Sequence, residues 1–392
     1  MKQTRGIVIA GLCGGSGKSV VSVGLTAAWT QNGKKIAPFK KGPDYIDAGW
    51  LTYGAGRPCY NLDPYLVSRE MIISSFLQRS RGADFTLIEG NRGLYDGVTA
   101  QGGYSTADLA ITVDLPLLLV VNCTKTTRTI AAMVLGCMQL DKRVDIRCVI
   151  LNQVATKRQV RLISEAVEAY CGLPVVGAIP RMKEDIFPMR HLGMIPHQEY
   201  NDAQKAIHFL AKTAAEHIDI NRVEHLTETI PAPDNCPRTD VTLLPISRDV
   251  RIGILQDEAF QFYYPENLAA LERNGAELVP VNAIADNSLP DLDGLYIGGG
   301  FPETSAAKLA ANKSFRDSIR AEIEKGLPVY AECGGLIYLG SSIIIGQDHF
   351  ELTGVFPVSY TMSAKPQAHG YSIFTVDRRN PFYPQGLKVK GH

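Results

Sequence analysis

Residues 11–19 read GLCGGSGKS and follow the apolar run GIVIAG at 6–11. Glycines in such a turn let backbone N–H groups approach phosphate oxygens, the lysine reaches the terminal phosphates, and the serine hydroxyl ligates Mg2+. Gly14, Gly15, Gly17, Lys18 and Ser19 carry those roles here. The opening glycine is displaced: five residues separate Gly11 from Gly17, where four are usual. A tight turn ending in a surface lysine has the same composition, so the motif alone leaves both readings open.

Three further groups share its chemistry. Glu89 closes the apolar stretch FTLIEG and is placed to face Mg2+, although a strand-end glutamate is also commonly a solvated carboxylate. Asp47, in KKGPDYIDAGW, is either a second Mg2+ ligand or a turn aspartate. Lys40 closes the second apolar run and is either a phosphate contact or a surface charge.

A second constellation lies far along the chain. VYAECGGLIYL (329–339) reads as a strand, a sharp turn with Cys333 at its apex, and a helix. Small residues flank the apex: Ala331 before it, Gly334 and Gly335 after it. This is a nucleophile elbow with sulfur in place of oxygen, and the nearby helix start is expected to lower the thiol pKa. YIGGGFPE (296–303) ends another strand in glycines, and Gly299 and Gly300 are candidate oxyanion donors or simply a flexible loop. The histidines available as a base, His349, His369 and His392, sit in no pattern that names one of them.

The elements that must position these groups follow from periodicity. Apolar runs at 6–11, 35–40, 85–90, 116–122, 147–153 and 174–180 alternate with helical patterns at 18–32, 68–80, 128–140 and 157–170. That rhythm predicts a mostly parallel sheet covered by helices, with ligands at the carboxyl ends of its strands. A last amphipathic helix is expected at 204–218. ETIPAPDNCPRTD (228–240) has three prolines and no period, and reads as linker. A second α/β rhythm begins at 250. The expected organisation is a first domain at 1–220, a linker at 221–249 and a second domain at 250–392.

Composition sets the bounds. A chain of 392 residues suits two domains. Forty basic residues balance forty acidic ones, which gives no electrostatic footprint for nucleic acid or an anionic membrane. Eight scattered cysteines without a CxxC pair suggest a reducing cytoplasm rather than a metal site. LPLLLVV (115–121) is far too short to span a membrane.

Taken together, these motifs resemble the cobyrinic acid a,c-diamide synthase family over nearly the whole chain. The five-residue loop spacing is similar to that of this family and of the related dethiobiotin synthetases. PFKKGPDYID (38–47) and RHLGMIP (190–196) resemble family signatures, and FYYPENL (262–268), GGGFPE and YAECGG resemble its glutamine amidotransferase half. The resemblance implies a P-loop NTPase-like, dethiobiotin synthetase-like parallel-sheet domain joined to a class I glutamine amidotransferase-like domain. It implies that glutamine is hydrolysed at Cys333, that ATP and Mg2+ activate a tetrapyrrole carboxylate as an acyl phosphate, and that ammonia then gives the amide. By position, Lys40 would stabilise the transferring phosphoryl group, and Ser19, Asp47 and Glu89 would hold Mg2+. Asn152 would recognise adenine, and Asp44, Tyr45, Asp96, Phe262, Tyr263 and Tyr264 would face the tetrapyrrole. A homodimer is left open.

Two departures stand out. The family usually has EGVMGLFDG where this chain has EGNRGLYDG (89–97). Arg92 suits an extra substrate carboxylate, as in a sirohaem or sirohydrochlorin-type tetrapyrrole, or else pairs with a neighbouring carboxylate. Family members also continue past Gly-His with Glu-Phe-His, whose histidine is the glutaminase base. The chain stops at His392, so a C-terminal truncation or an impaired glutaminase is expected. The alternative from another class is a regulatory or carrier ATPase with an inactive amidotransferase-like module.

Overall fold

The computed structural model describes residues 4–182, 189–190, 193–200, 202–230, 249–363 and 370–392. The chain divides into two compact units, Met1–Cys236 with Tyr371–His392, and Pro237–Gly370.

The first unit runs β1 (Arg5–Gly11), α1 (Lys18–Gln31), β2 (Ile36–Lys41), α2 (Ile46–Ala55), β3 (Tyr60–Leu62), α3 (Arg69–Ser80) and β4 (Phe85–Glu89). It continues through α4 (Thr106–Val113), β5 (Leu117–Asn122), α5 (Thr129–Leu140), β6 (Ile146–Val154), α6 (Lys157–Cys171) and β7 (Val175–Pro180). A two-residue ladder of β8 (Met189–Arg190) and β9 (Gly193–Met194) precedes α7 (Ala203–His217), α8 (Ile220–Leu226) and β10 (Glu228–Thr229).

The sheet order β3-β2-β4-β1-β5-β6-β7 is parallel throughout, with β10 added antiparallel to the start of β1. Its central strands are buried on both faces. That is why they read as unbroken apolar runs rather than as alternating patterns. The register pairs Ile9 with Glu89 and Lys40 with Glu89, so the carboxyl ends of β1, β2 and β4 finish together. All the charged residues of the phosphate-loop constellation arrive at that one edge.

The expected strands and helices of this unit are all present. Residues 221–229, read from composition as the start of the linker, instead lie in α8 and β10. The cause is burial: Val223 is fully covered and Ile230 nearly so.

In the second unit, β11 (Val250–Leu255), α9 (Pro265–Arg273), β12 (Ala276–Val281), β13 (Gly294–Ile297), α10 (Ala306–Ala311), α11 (Lys313–Glu324), β14 (Val329–Ala331) and α12 (Gly334–Tyr338) build a parallel sheet of order β12-β11-β13-β14. A small sheet of β15 (Ser342–Ile345), β16 (Asp348–Glu351) and β17 (Ser359–Thr361) follows. The core of this unit is built on Phe260, Phe315, Ile319, Tyr338 and Leu295. Residues of the expected second domain that lie beyond 370 group with the first unit. They form the hairpin β18 (Ser372–Thr375) and β19 (Lys388–Gly391), and the Tyr371 hydroxyl donates to Asp63 Oδ2 at 2.8 Å.

Candidate functional site

The phosphate loop is shaped by its glycines. Gly17 caps α1 with φ 96°, in the left-handed region, and a Cβ there would lie 2.0 Å from Asn152 Nδ2. Gly14 meets nothing within 4 Å and has no positive φ, so packing does not explain it. Its use is the open backbone surface it leaves to a ligand. Lys18 lies across the loop and donates to the carbonyls of Cys13 (3.1 Å) and Arg92 (2.8 Å). Burial lowers its pKa, while Glu89 works in the opposite direction.

Behind the loop lies a sealed polar cluster. Ser19 Oγ donates to Glu89 Oε1 at 2.8 Å. The Lys40 ammonium, 1% exposed, pairs with Asp47 and with Glu89 at 3.1 Å, approaches Asp44 at 3.9 Å, and donates to the Gly90 carbonyl. Burial opposes the charge on Lys40, but Asp47, Glu89 and Asp44 outweigh it and keep the ammonium protonated. Burial, reinforced by Asp47, raises Asp44 to about 7. Asp47 shifts down: burial pushes it up, but the bond and charge of Lys40 prevail. Glu89 shifts up through burial, only partly offset by Lys40. Ser19, Lys40, Asp47 and Glu89, expected together about phosphate and Mg2+, are brought together by the fold, and Asp44, expected to face the tetrapyrrole, joins the same cluster.

This donor set fits a hard divalent cation. Glu89 Oε2 is sealed from solvent and has no hydrogen-bond partner, while carboxylate and hydroxyl oxygens stand next to the phosphate loop. With only two or three protein oxygens, such an ion would keep phosphate and water ligands. No group of three or more His, Cys, Asp or Glu able to hold a metal exists among the described residues.

The remaining expected residues fall differently. Asn152 Nδ2 donates to the Ser16 carbonyl at 2.9 Å and tethers the loop, and its Oδ1 is sealed without a partner. A purine edge reaches that oxygen only if the loop shifts. Asp96 is exposed, and its Oδ2 accepts from Gly93 N at 2.8 Å, closing the turn that carries Arg92. Tyr45 is half-buried at the start of α2. Arg92 is exposed at φ 51°, and among the described residues its guanidinium pairs with no carboxylate. Most of the 190–196 signature has no described side chains.

In the second unit, Cys333 sits at the N-terminal end of α12 with φ 50° and ψ −115°, the strained backbone of an elbow. The nearby backbone N–H groups of Gly300 and Gly334 favour the thiolate and work against the burial of the sulfur. A Cβ on Gly299 would come within 3.3 Å of Cys333 Cβ, and one on Gly335 within 2.5 Å of the Ile297 carbonyl. Gly300 and Gly334 thus bring backbone N–H groups near the sulfur, and Gly299 clears space beside it. Gly334 was not expected as a donor. Its signal was its position directly after the nucleophile.

Two expectations need correction. The thiol pKa is raised, not lowered: desolvation by the surrounding protein is the largest cause, and Glu303 and Glu332 add repulsion that the two N–H donors do not cancel. A five-residue helix offers too little dipole to reverse this. Nor are Phe262 and Tyr263 free ligand-facing aromatics. Phe262 is 8% exposed, packs on Phe301 at a centroid distance of 5.3 Å, and forms a bridge with Gly299. The Tyr263 hydroxyl donates to the Leu255 carbonyl and accepts from Gly298 N. Both frame the glycine strip beside Cys333. Tyr264 is half-buried at the start of α9. His349 is an exposed residue of β16, and the His392 ring lies 5.3 Å from Tyr371. His369 lies outside the described residues.

Comparison with known proteins fits both halves. Residues 7–192 match the CobQ/CobB/MinD/ParA nucleotide binding domain, and residues 251–392 match the CobB/CobQ-like glutamine amidotransferase domain. A cobyrinate a,c-diamide synthase of Magnetococcus marinus is 43% identical over 361 residues, which cover 91% of this chain and 77% of that protein. The chain belongs to the cobyrinate a,c-diamide synthase family. The synthases of Dehalococcoides mccartyi and Archaeoglobus fulgidus are each 38% identical, across 98% of this chain and 84% of theirs. Within this family the first unit is the P-loop, nucleotide-binding half of an amide ligase, and the thiol elbow belongs to its glutamine-hydrolysing half. No helix among the described residues is long and apolar enough to cross a membrane.

Proposed function

We propose that this chain uses ATP, Mg2+ and glutamine to convert side-chain carboxylates of cobyrinic acid into amides. One observation carries the reading: a single polypeptide holds both a Ser19–Glu89–Lys40–Asp47 cluster against a phosphate loop and a strained Cys333 on a glycine-framed elbow.

Cys333 sulfur, once deprotonated, attacks the glutamine carboxamide carbon. The Gly300 and Gly334 N–H groups would hold the oxyanion. Ammonia leaves, and water cleaves the thioester to glutamate. In the other half, a substrate carboxylate oxygen takes the terminal phosphoryl group of ATP and releases ADP. Lys18 and Lys40 hold charge on the phosphoryl oxygens during this transfer. Ammonia then attacks the acyl carbon, phosphate departs with the C–O electrons, and a proton is lost. Ser19, Glu89 and Asp47 would hold Mg2+, whose contribution is charge neutralisation on the phosphates.

Two alternatives frame the test. An unpaired Arg92 favours a less modified, sirohydrochlorin-type tetrapyrrole carrying more free carboxylates. A regulatory ATPase would have no use for a strained cysteine on a glycine-framed elbow. ADP formation is therefore measured with ammonia as nitrogen donor against cobyrinic acid, sirohydrochlorin and sirohaem. Turnover is expected to rise with cobyrinic acid and to survive Cys333→Ala, which abolishes glutamate release from glutamine. ATP turnover indifferent to all three tetrapyrroles would sink the reading, and a response to sirohydrochlorin alone would move it to that substrate.

A further inference from the structure

Lys41 has no role in the chemistry above, yet it is 5% exposed at the carboxyl end of β2. Among the described residues its ammonium donates no hydrogen bond and has no carboxylate within ion-pair distance. Two carboxylates act on it from nearby, but both are already committed. Asp63 Oδ1 accepts from the backbone of Tyr65 and Leu66, and its Oδ2 accepts from Tyr371. Asp108 Oδ2 caps α4 through the Ser105 N–H and hydroxyl. A buried lysine with no carboxylate in contact costs stability unless something else completes its pairing. Its Nζ is not among the buried polar atoms sealed from solvent, so a ligand can reach it.

Among the described residues, another nearby cation without a carboxylate partner is Arg92. The turn after Lys41 abuts the turn before Arg92: a Cβ on Gly42 would lie 3.1 Å from Asn91 Nδ2. Lys40 and Arg92 both depress the Lys41 pKa by repulsion, behind the larger effect of burial. Successive strand residues point to opposite faces. Lys40 turns to the nucleotide face with Glu89 and Asp47, so Lys41 turns to the other. A nucleotide held by Lys18, Ser19 and Lys40 thus leaves Lys41 unpaired.

We propose that Lys41 and Arg92 together form a second anion site, which grips a non-reacting carboxylate of the tetrapyrrole while a neighbouring carboxylate is activated on the Lys40 face. The proposal rests on the tetrapyrrole reading above and adds the residues that orient the ring. Lys41 and Arg92 are positioning residues.

The test is equilibrium binding of cobyrinic acid, followed by its visible absorbance, to the full chain and to Lys41→Met, Arg92→Gln and the double variant. ATP affinity serves as the folding control. Each single variant is expected to bind cobyrinic acid about 10- to 100-fold more weakly, with ATP affinity within twofold. The double variant loses less than the product of the two, because both cations hold one group. In ammonia-driven turnover the loss falls on KM while kcat is kept, and Arg92→Lys recovers most of it. If the unaltered protein binds and the variants bind equally well, the second site is overturned and the proposed function stands. If the unaltered protein does not bind cobyrinic acid, both fall.

Discussion

Replacing Lys40 with methionine removes a charge but keeps the volume. In the wild type the ammonium is 1% exposed and neutralises Asp47 and Glu89, with Asp44 3.9 Å away. Without it, carboxylates of near-zero to modest exposure face one another across a buried hollow. Breaking one side of a buried pair costs about 3–5 kcal/mol. The carboxylates escape part of that cost by taking up protons, so their folded pKa values rise above the unfolded ones. A raised carboxylate binds more protons folded than unfolded, so the variant loses stability as pH rises, by about 1.4 kcal/mol per pH unit for each coupled proton. The assay is urea unfolding followed by tryptophan fluorescence. Both tryptophans, Trp29 and Trp50, are buried in the first unit, so the signal reports that unit alone. At pH 8 the Lys40→Met midpoint is expected to fall by about 1–2 M urea. The gap narrows at pH 5.5, and 10 mM Mg2+ narrows it further at pH 8. A midpoint within about 0.3 M of wild type at pH 8, or a deficit that ignores pH, would refute the reasoning.

Three other outcomes are expected. Gly17→Ala places a Cβ against Asn152 Nδ2 at a left-handed position; titration calorimetry should show at least tenfold weaker ATP binding and denaturation a loss of about 1–2 kcal/mol. Tyr263→Phe leaves the Leu255 carbonyl and Gly298 N–H without their shared partner, costing about 1–3 kcal/mol in the second unit and slowing glutamate release while ammonia-driven turnover is retained. Burial lowers the His197 pKa to about 4, so the unfolded chain, titrating near 6.5, binds the proton more readily. Stability of the first unit therefore falls as pH drops from about 6.5 to 4, by up to ~3 kcal/mol, and His197→Gln should flatten that slope in urea midpoints taken every half unit.

Much of the first unit was legible because its strands are buried on both sides and its helices separate them at regular intervals. Three helices escaped notice: α2, α4 and α8, the last read as linker. α2 is apolar nearly all round, so it shows no amphipathic period, and its Gly49 and Gly54 pack against His197 and Ile207. α4 is only eight residues long, although the Ser105–Asp108 capping box marks its start. The cluster around Lys40 was legible because strand-end positions in a parallel sheet converge. The Tyr263 contacts and the grouping of Tyr371–His392 with the first unit were not, since both arise from partners far away in sequence. Lys41 was hidden in plain view within KKGPDYID. Adjacent lysines look alike on paper, and only the pleat assigns them to opposite faces. The thiol shift was misread because a helix start is visible in sequence, whereas the bulk of protein around a sulfur is not.

That shift has a consequence for the resting molecule. A sulfur kept as its conjugate acid is a slow target for peroxide and for stray electrophiles, even at a surface position. The elbow thus stores geometric readiness without chemical readiness.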